Sequence, residues 1–575
     1  MNATTWNLLS PPPDAVDRIE RDLGVSATLA RVLVNRGSGD PDAAGRFLGP
    51  SLGHLHDPLA MRGMTDAVYT VARAVRERRQ ILVCGDYDVD GVTGTVLLVD
   101  FLRRHTPAVS YHIPHRTDDG YGLHAATVRR FADEGGSLIV TVDCGVSDSA
   151  EIGLARSLGI DVVVTDHHEP PGRLPAANAV LNPRRPGCRY PFKSLAGVGI
   201  AFKLAQALSR LIGPGAHPGG DEQLFSYLDL VALGTVADIA PLVGENRVLV
   251  RHGLEVLGSG SRLGVRALLH TAGIETRPLR AAQIGFGLGP RINAAGRLDR
   301  ADTAVELFLT DDPRRARHLA ELLERQNARR REIETQIREE ALRIVEECGT
   351  DDRILVLAAP GWHPGVIGIV AAKIAERYCR PALLVSTGRD PGKGSARSVA
   401  DANLYAELCR VRHLFTALGG HAHAAGFSIR EADIPALRRE LNAGTRLAGA
   451  SRRIDIDADL AFADLRPSLV EELRRLAPFG HGNPEPAFAT RAVRLAQPPR
   501  TVGSNHLRLT LVQRPHARSF IGFNFAGFAA DLATGIGVDV AYDLDLEGAP
   551  RGGWERYRLR DIRIPDRTAP PPAAP

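Results

Sequence analysis

ILVCGDYDVDGVTG, residues 81–94, opens as an unbroken apolar run and then sets Asp86, Asp88 and Asp90 at alternate positions, with Gly91 and Gly94 behind them. An apolar run of that length, closed by glycine, reads as a buried strand. Two more runs follow the same pattern: SLIVTVDCG (137–145) ends on Asp143, and DVVVTDHHEP (161–170) ends on Asp166, His167 and His168. Helical stretches such as TDAVYTVARAVRER (65–78) and AATVRRFADEGG (125–136) alternate with them. That alternation predicts an α/β fold on a parallel sheet, with the polar residues at the carboxyl ends of its strands, where open α/β sheets put their sites. A fourth piece, VALGTVADIAPL (231–242), sets Asp238 among apolar neighbours, and such an Asp needs a cap, a salt bridge or a metal.

Outward from this core, the chain reads as several domains. Residues 1–65 are an N-terminal helical segment and 66–310 the parallel-sheet domain. The stretch 311–348 carries charges of both signs on most faces and reads as a long, exposed connecting helix. A smaller α/β domain covers 349–448, and short β-like runs over 449–566 suggest a β-barrel. The end, RTAPPPAAP (567–575), reads as a disordered tail.

The 575 residues, 44% of them hydrophobic, suffice for several cores. Lysine and arginine (71) nearly balance aspartate and glutamate (67), so a polyanion site has to be a local patch. No apolar run is long enough to cross a membrane, and the N-terminus lacks the basic start and apolar core of a signal peptide. The six cysteines are scattered without a CxxC pair, as expected of reduced thiols in a cytoplasmic protein with no membrane partner.

Three carboxylates as close as Asp86, Asp88 and Asp90 repel one another unless cations compensate. DxDxDG also opens a calcium loop, but Leu97 stands where that loop would end on its bidentate Glu. Alone, the motif is either a metal loop or an acidic turn that starts a helix. Alone, Asp143 is most often a helix cap, and the paired histidines are either metal ligands or a surface loop. Together, four strand or loop ends supply the carboxylate and imidazole set that suits two Mn²⁺ or Mg²⁺ ions roughly 3.5–4 Å apart. Such a pair suits phosphoester hydrolysis without a protein nucleophile. No GxxxxGK[ST], GxSxG or HExxH motif offers another chemistry.

GDYDVDG, TVDCG, TDHH and GTVAD resemble, in order and spacing, the four motifs of the DHH phosphoesterase superfamily. FLGPSLGHLHDP (47–58), FGLGPRINAAGRLD (286–299), GWHPGVIGIVAAK (361–373), GSARS (394–398), GGHAHAAGFSI (419–429) and APFGHGNPEP (477–486) resemble its RecJ branch, the single-strand-specific 5′→3′ exonucleases. The resemblance covers about residues 47–490. It implies a DHH domain, a DHHA1 domain and an OB-like barrel. It implies Asp88, Asp90, Asp143, His167 and Asp238 as metal ligands, His168 facing the scissile phosphate, and Asp86 and Asp166 in support. Many superfamily members have a His where this chain has Cys84, a poor ligand for a hard cation, so one metal is expected to be less fully coordinated.

For single-stranded DNA, the substrate that the resemblance implies, Arg291, Asn293 and Arg297 read as a donor cluster, unless an arginine pairs with Asp299 or Asp302 to fix its loop. Ser395 and Arg397 in GSARS suit an anion nest, which by resemblance receives the 5′-phosphate end. Arg116 is a candidate phosphate contact, Tyr121 a stacking surface or else a turn packer, and His421 by resemblance lies at the cleft between the lobes. The basic positions evident in the barrel are Arg508, Arg514, Arg518, Arg556, Arg558 and Arg560. The resemblance further implies a role in recombination and repair, action as a monomer, and a single-strand binding protein and a RecQ-type helicase as partners. The alternatives are a DHH hydrolase of short oligonucleotides or cyclic dinucleotides, and a non-catalytic replication scaffold.

Overall fold

Ile81–Gly85 is a strand buried on both faces, as its run of branched apolar side chains requires. The structure, a computed structural model, describes residues 4–212, 220–275, 278–349, 352–399, 402–444, 453–503, 505–547 and 557–564. The predicted tail (567–575) and Arg556 lie outside these residues. The chain forms two units: residues 56–240 with 252–451, and residues 1–55 with 241–251 and 452–575.

In the larger unit a five-stranded sheet runs Val109–His112, Ile81–Gly85, Leu138–Val142, Asp161–Thr165, Ala179–Leu181, every pair parallel. In chain order this is 2-1-3-4-5, so the strand order reverses between Ile81–Gly85 and Leu138–Val142 and opens a crevice at their carboxyl ends. Gly85 is level with Val142, and Val142 with Thr165, so the next residues, Asp86, Asp143 and Asp166, stand in a row along that edge.

The long helix, Pro313–Cys348, starts at the Asp312 cap with proline in its first turn. It is less exposed than its charges suggest. Ala316, Leu319, Ala320 and Leu323, then Ile337, Ala341 and Val345, form a narrow buried stripe at helical spacing between the charged rows. Beyond it, a mixed five-stranded sheet runs Phe415–His421, Ala424–Ile429, Gly392–Arg397, Ala382–Thr387, Leu355–Pro360. Among the described residues no helix is long and apolar enough to cross a membrane.

The smaller unit contains a barrel. Ala487–Leu495 pairs with both Gly537–Leu544 and His506–Gln513, which closes a ring through Tyr557–Arg563 and His516–Gly522. The N-terminal residues are built into the same unit. Thr5–Leu8 pairs in parallel with Arg453–Ile456, and Leu29 and Leu33 share a core with Leu473 and Phe488. The buried Arg247 guanidinium donates to the carbonyls of Phe47, Arg475, Leu476 and Ala477, fastening distant parts of the chain.

Candidate metal centre and phosphate pocket

The carboxyl edge of the parallel sheet gathers Asp86, Asp88, Asp90, Asp143, Asp166, His167 and His168, and Asp238 reaches the same cluster. Asp88 caps the helix Val89–Arg103, accepting from the N–H groups of Asp90 (2.9 Å) and Gly91 (3.2 Å). Asp90, fully buried one residue into that helix, accepts from Gly197 N (2.6 Å) and Val198 N (2.8 Å) at the start of the helix Gly197–Ile212. Those donors fix the carboxyl group in place and favour its charged form without neutralising the cluster. Asp143 sits in left-handed backbone at φ 62°, with its N–H on Thr165 O at 2.9 Å. Space for it exists because residue 197 is glycine: a Cβ there would lie 2.7 Å from Asp143 Cβ. Asp238 follows the last turn of the helix Leu228–Ala237.

His167 Nε2 lies 3.0 Å from Asp143 Oδ1, 3.8 Å from Asp238 Oδ2 and 3.9 Å from Asp90 Oδ2. Three groups have ligand atoms within 4.8 Å of one another: Asp90, His167 and Asp238; Asp86, Asp88 and Asp143; and Asp143, His167 and His168. The buried atoms Asp86 Oδ1, Asp143 Oδ1 and His167 Nε2 have no hydrogen-bond partner. Polar atoms that are buried, unpartnered and convergent fit a cation.

The proton equilibria agree. Burial, then Asp88, pushes Asp90 up to about 7. Burial, then Asp90 and Asp88, pushes Asp238 up to about 9. Asp86 and Asp143 rise well above the carboxylate range, first through burial and then through neighbouring carboxylates. Burial and the adjacent His168 depress His167 to about 3, leaving the neutral imidazole that a metal requires.

Asp166 and His168 are placed differently. For Asp166, burial pushes upward, but hydrogen bonds from the His168 ring and from the N–H groups of His168 and Val146 outweigh it and hold the carboxyl below its ordinary value. His168 Nδ1 meets Asp166 Oδ1 at 2.8 Å and the Tyr121 hydroxyl at 3.0 Å. Burial lowers His168, but Asp166, Asp88 and Asp86 raise it further, so its net value is raised. Cys84 packs with Leu82, Leu123, Val128 and Ile139 in an apolar cluster, so the cation groups form without reference to it.

Arg116, Arg297 and Arg397 lie within electrostatic reach of one another, with Arg297 and Arg397 set against the helix Pro364–Tyr378. Arg297 Nη1 donates to Gly365 O (3.0 Å), and Arg397 Nη1 to Ser395 Oγ (3.0 Å) and Ala396 O (2.8 Å). Burial, then the charges of Arg116 and Arg397, lower Arg297 to about 9. Gly368 lets the helix approach: a Cβ there would lie 2.9 Å from both Arg397 Nη2 and Ser395 Oγ.

Other predicted contacts are differently engaged. Tyr121 spends its hydroxyl on Asp143 O (2.8 Å) and His168, while part of its ring stays exposed. Arg291 pairs with neither Asp299 nor Asp302; its Nε meets Glu324 on the long helix and its Nη1 meets Gly287 O (2.6 Å). The Asn293 Oδ1 atom is buried without a partner. His421 ends the edge strand Phe415–His421, and its value is lowered by burial, His423, Arg397 and His168. In the barrel, Arg558 and Arg560 pair with Asp543, and Arg518 donates to Phe462 O and Leu465 O, so these three are engaged within the barrel. Residues the motifs did not single out are Gly197, Asn182, which donates to His168 O (2.8 Å), and Tyr87, whose ring lies under Arg116. Only the glycine-rich AGVG at 196–199 was a local signal for any of them.

A sheet with this strand order, carrying aspartates and histidines at its switch point, defines a DHH-type domain. Residues 80–235 match the DHH family N-terminal domain, 351–445 the DHHA1 domain and 456–548 the RecJ OB domain. The single-stranded-DNA-specific exonuclease RecJ of Bacillus subtilis (strain 168) is 35% identical over 569 residues, covering 98% of this chain and 70% of that protein. The RecJ of Dickeya dadantii is 42% identical over 481 residues, covering 80% and 83%. The crystal structure of RecJ in complex with Mn²⁺ from Thermus thermophilus superposes with a TM-score of 0.84 at 32% identity, over 98% of this chain and 80% of that one. The chain belongs to the RecJ family.

Proposed function

We propose that this chain is a metal-dependent exonuclease specific for single-stranded DNA, cutting the 5′-terminal phosphodiester and releasing 5′-mononucleotides in succession. The observation that carries the reading is a pocket of three guanidiniums standing in the same unit as the carboxylate–histidine cluster. None of the three forms an ion pair among the described residues. The pocket suits a terminal phosphate, and the cluster suits the next phosphodiester.

Asp88, Asp90, Asp143, His167 and Asp238, with Asp86 beside them, would hold two Mn²⁺ or Mg²⁺ ions, which when bound supply an activated water and charge neutralisation at the phosphate. Asp166 orients His168 through Nδ1, leaving Nε2 to donate toward a phosphate oxygen or the departing 3′-oxygen. Arg116, Arg297, Ser395 and Arg397 bind the terminal phosphate, which sets the polarity. Asn293 and His421 meet the strand, and Arg291 contributes its remaining N–H donors. These contacts go to phosphate and not to base edges, so sequence preference is weak. The same reading has the chain acting as a cytoplasmic monomer in repair and recombination, supplied with strand by a RecQ-type helicase and a single-strand binding protein.

End-labelled single-stranded DNA, incubated with Mn²⁺, Mg²⁺ or chelator, tests the reading with wild type and Asp143→Ala. Early release of 5′-labelled mononucleotide, abolished by chelator and by the substitution, supports it. Cleavage confined to very short oligonucleotides would favour a small-substrate hydrolase, and no cleavage by folded protein a scaffold.

A further inference from the structure

Two of the three pocket arginines are fixed by hydrogen bonds: Arg297 to Gly365 O, and Arg397 to Ser395 and Ala396. Arg116 is held in another way. It donates no hydrogen bond and enters no ion pair among the described residues, and its guanidinium carbon lies 4.3 Å from the centre of the Tyr87 ring. Tyr87 stands between Asp86 and Asp88 in the acidic loop, and its backbone is braced from behind. A Cβ on Gly296 would come within 2.5 Å of Tyr87 O, so the helix Gly289–Leu298 presses directly on the loop.

We propose that Tyr87 is a positioning residue for the terminal-phosphate contact, its ring carrying the Arg116 guanidinium so that every N–H donor of Arg116 stays available to the phosphate. The inference rests on the function proposed above. A carboxylate partner would also hold the arginine, but it would consume donors and cancel the charge the phosphate needs. An aromatic face holds a cation without doing either. The arrangement also ties the pocket to the metal loop, since one residue between two candidate ligands sets where the terminal phosphate is gripped. The aromatic ring, and not the phenolic hydroxyl, is the required part.

The test compares wild type, Tyr87→Phe, Tyr87→Leu, Arg116→Ala and the Leu/Ala double variant. Binding of thymidine 5′-monophosphate is measured by calorimetry, Mn²⁺ affinity by electron paramagnetic resonance, and KM and kcat on 5′-phosphorylated single-stranded DNA. Tyr87→Leu is expected to weaken nucleotide binding and raise KM about 3- to 30-fold, the range of a cation–π contact, with kcat within about threefold. Tyr87→Phe should stay within about twofold of wild type. The double variant should be no worse than Arg116→Ala, and Mn²⁺ affinity should be the same throughout. Tyr87→Leu equal to wild type, full additivity in the double variant, or a parallel loss of Mn²⁺ affinity would each overturn the proposal. Nucleotide binding is read without hydrolysis, so an inactive wild type would refute the exonuclease reading while the Tyr87–Arg116 coupling is still decided by the binding series.

Discussion

Replacing Asp238 by Asn should stabilise the metal-free protein while abolishing its cation site, and the gain should grow with pH. Asp238 makes no hydrogen bond that Asn would lose among the described contacts, its side chain is 23% exposed, and burial beside Asp90 and Asp88 lifts it to about 9 from an ordinary 3.8. Between pH 5 and 8 the folded chain therefore holds a proton at Asp238 that the unfolded chain has lost. The stability this group contributes is complete below about pH 3.8 and is lost as pH rises toward 9, at about 1.4 kcal/mol per pH unit. Over those three units the sum is about 4 kcal/mol. The amide carries no charge at any of these values, as the protonated acid does, so Asp90 and Asp143 experience the same field in the variant. Calorimetric melting in EDTA at pH 5, 6, 7 and 8 should show wild type falling relative to Asp238→Asn by on the order of 5–10 °C. Added Mn²⁺ should restore wild type at pH 8 and leave the variant little changed. Parallel melting curves in EDTA would refute the reasoning, because no proton would then be bound at Asp238 on folding.

Gly197→Ala should weaken Mn²⁺ binding at least about tenfold by calorimetry, since its Cβ would lie 2.8 Å from Asp143 Oδ1; unchanged affinity would mean the ligand shifts freely. Asp166→Asn should cut kcat about 10²- to 10⁴-fold and move the alkaline limb of the pH–rate profile to lower pH, because Asp166 is the foremost of the groups that raise His168; an unmoved limb would assign that limb to another group. Arg397→Ala should reduce the slope of log affinity against log salt by about 0.7 on single-stranded DNA, one phosphate contact's share; an unchanged slope would remove Arg397 from the strand path.

The parallel sheet and its acidic edge were legible because an apolar run followed by acidic residues carries both the strand and its polar end. Asp86, Asp143 and Asp166 fall in a row simply because the strands end level. For Asp88, the choice between helix cap and metal loop was never exclusive: its carboxylate caps the helix and stands in a candidate ligand group. What stayed illegible depends on contacts between distant segments. The partner of Arg291 is Glu324, 33 positions away, and no local spacing points to it. The pairing of the barrel's Arg558 and Arg560 was equally illegible, because their partner Asp543 lies on a neighbouring strand. Cys84, where the resemblance led one to expect a ligand, is turned by strand alternation to the apolar face.

The pairing of Thr5–Leu8 with Arg453–Ile456 has a consequence for how the chain is made. Asn7 and its hydrogen-bond partner Asp455 lie 448 positions apart. At roughly 5–20 residues per second on the ribosome, the first strand waits on the order of 20–90 s for its partner to be synthesised. During that interval the parallel-sheet domain can emerge and fold, while Leu29 and Leu33 remain without Leu473 and Phe488 to cover them. The earlier-translated of the two segments is among the last to be finished. Its apolar side chains are therefore the ones a nascent-chain chaperone would meet, and slow codons placed late in the message would prolong their exposure.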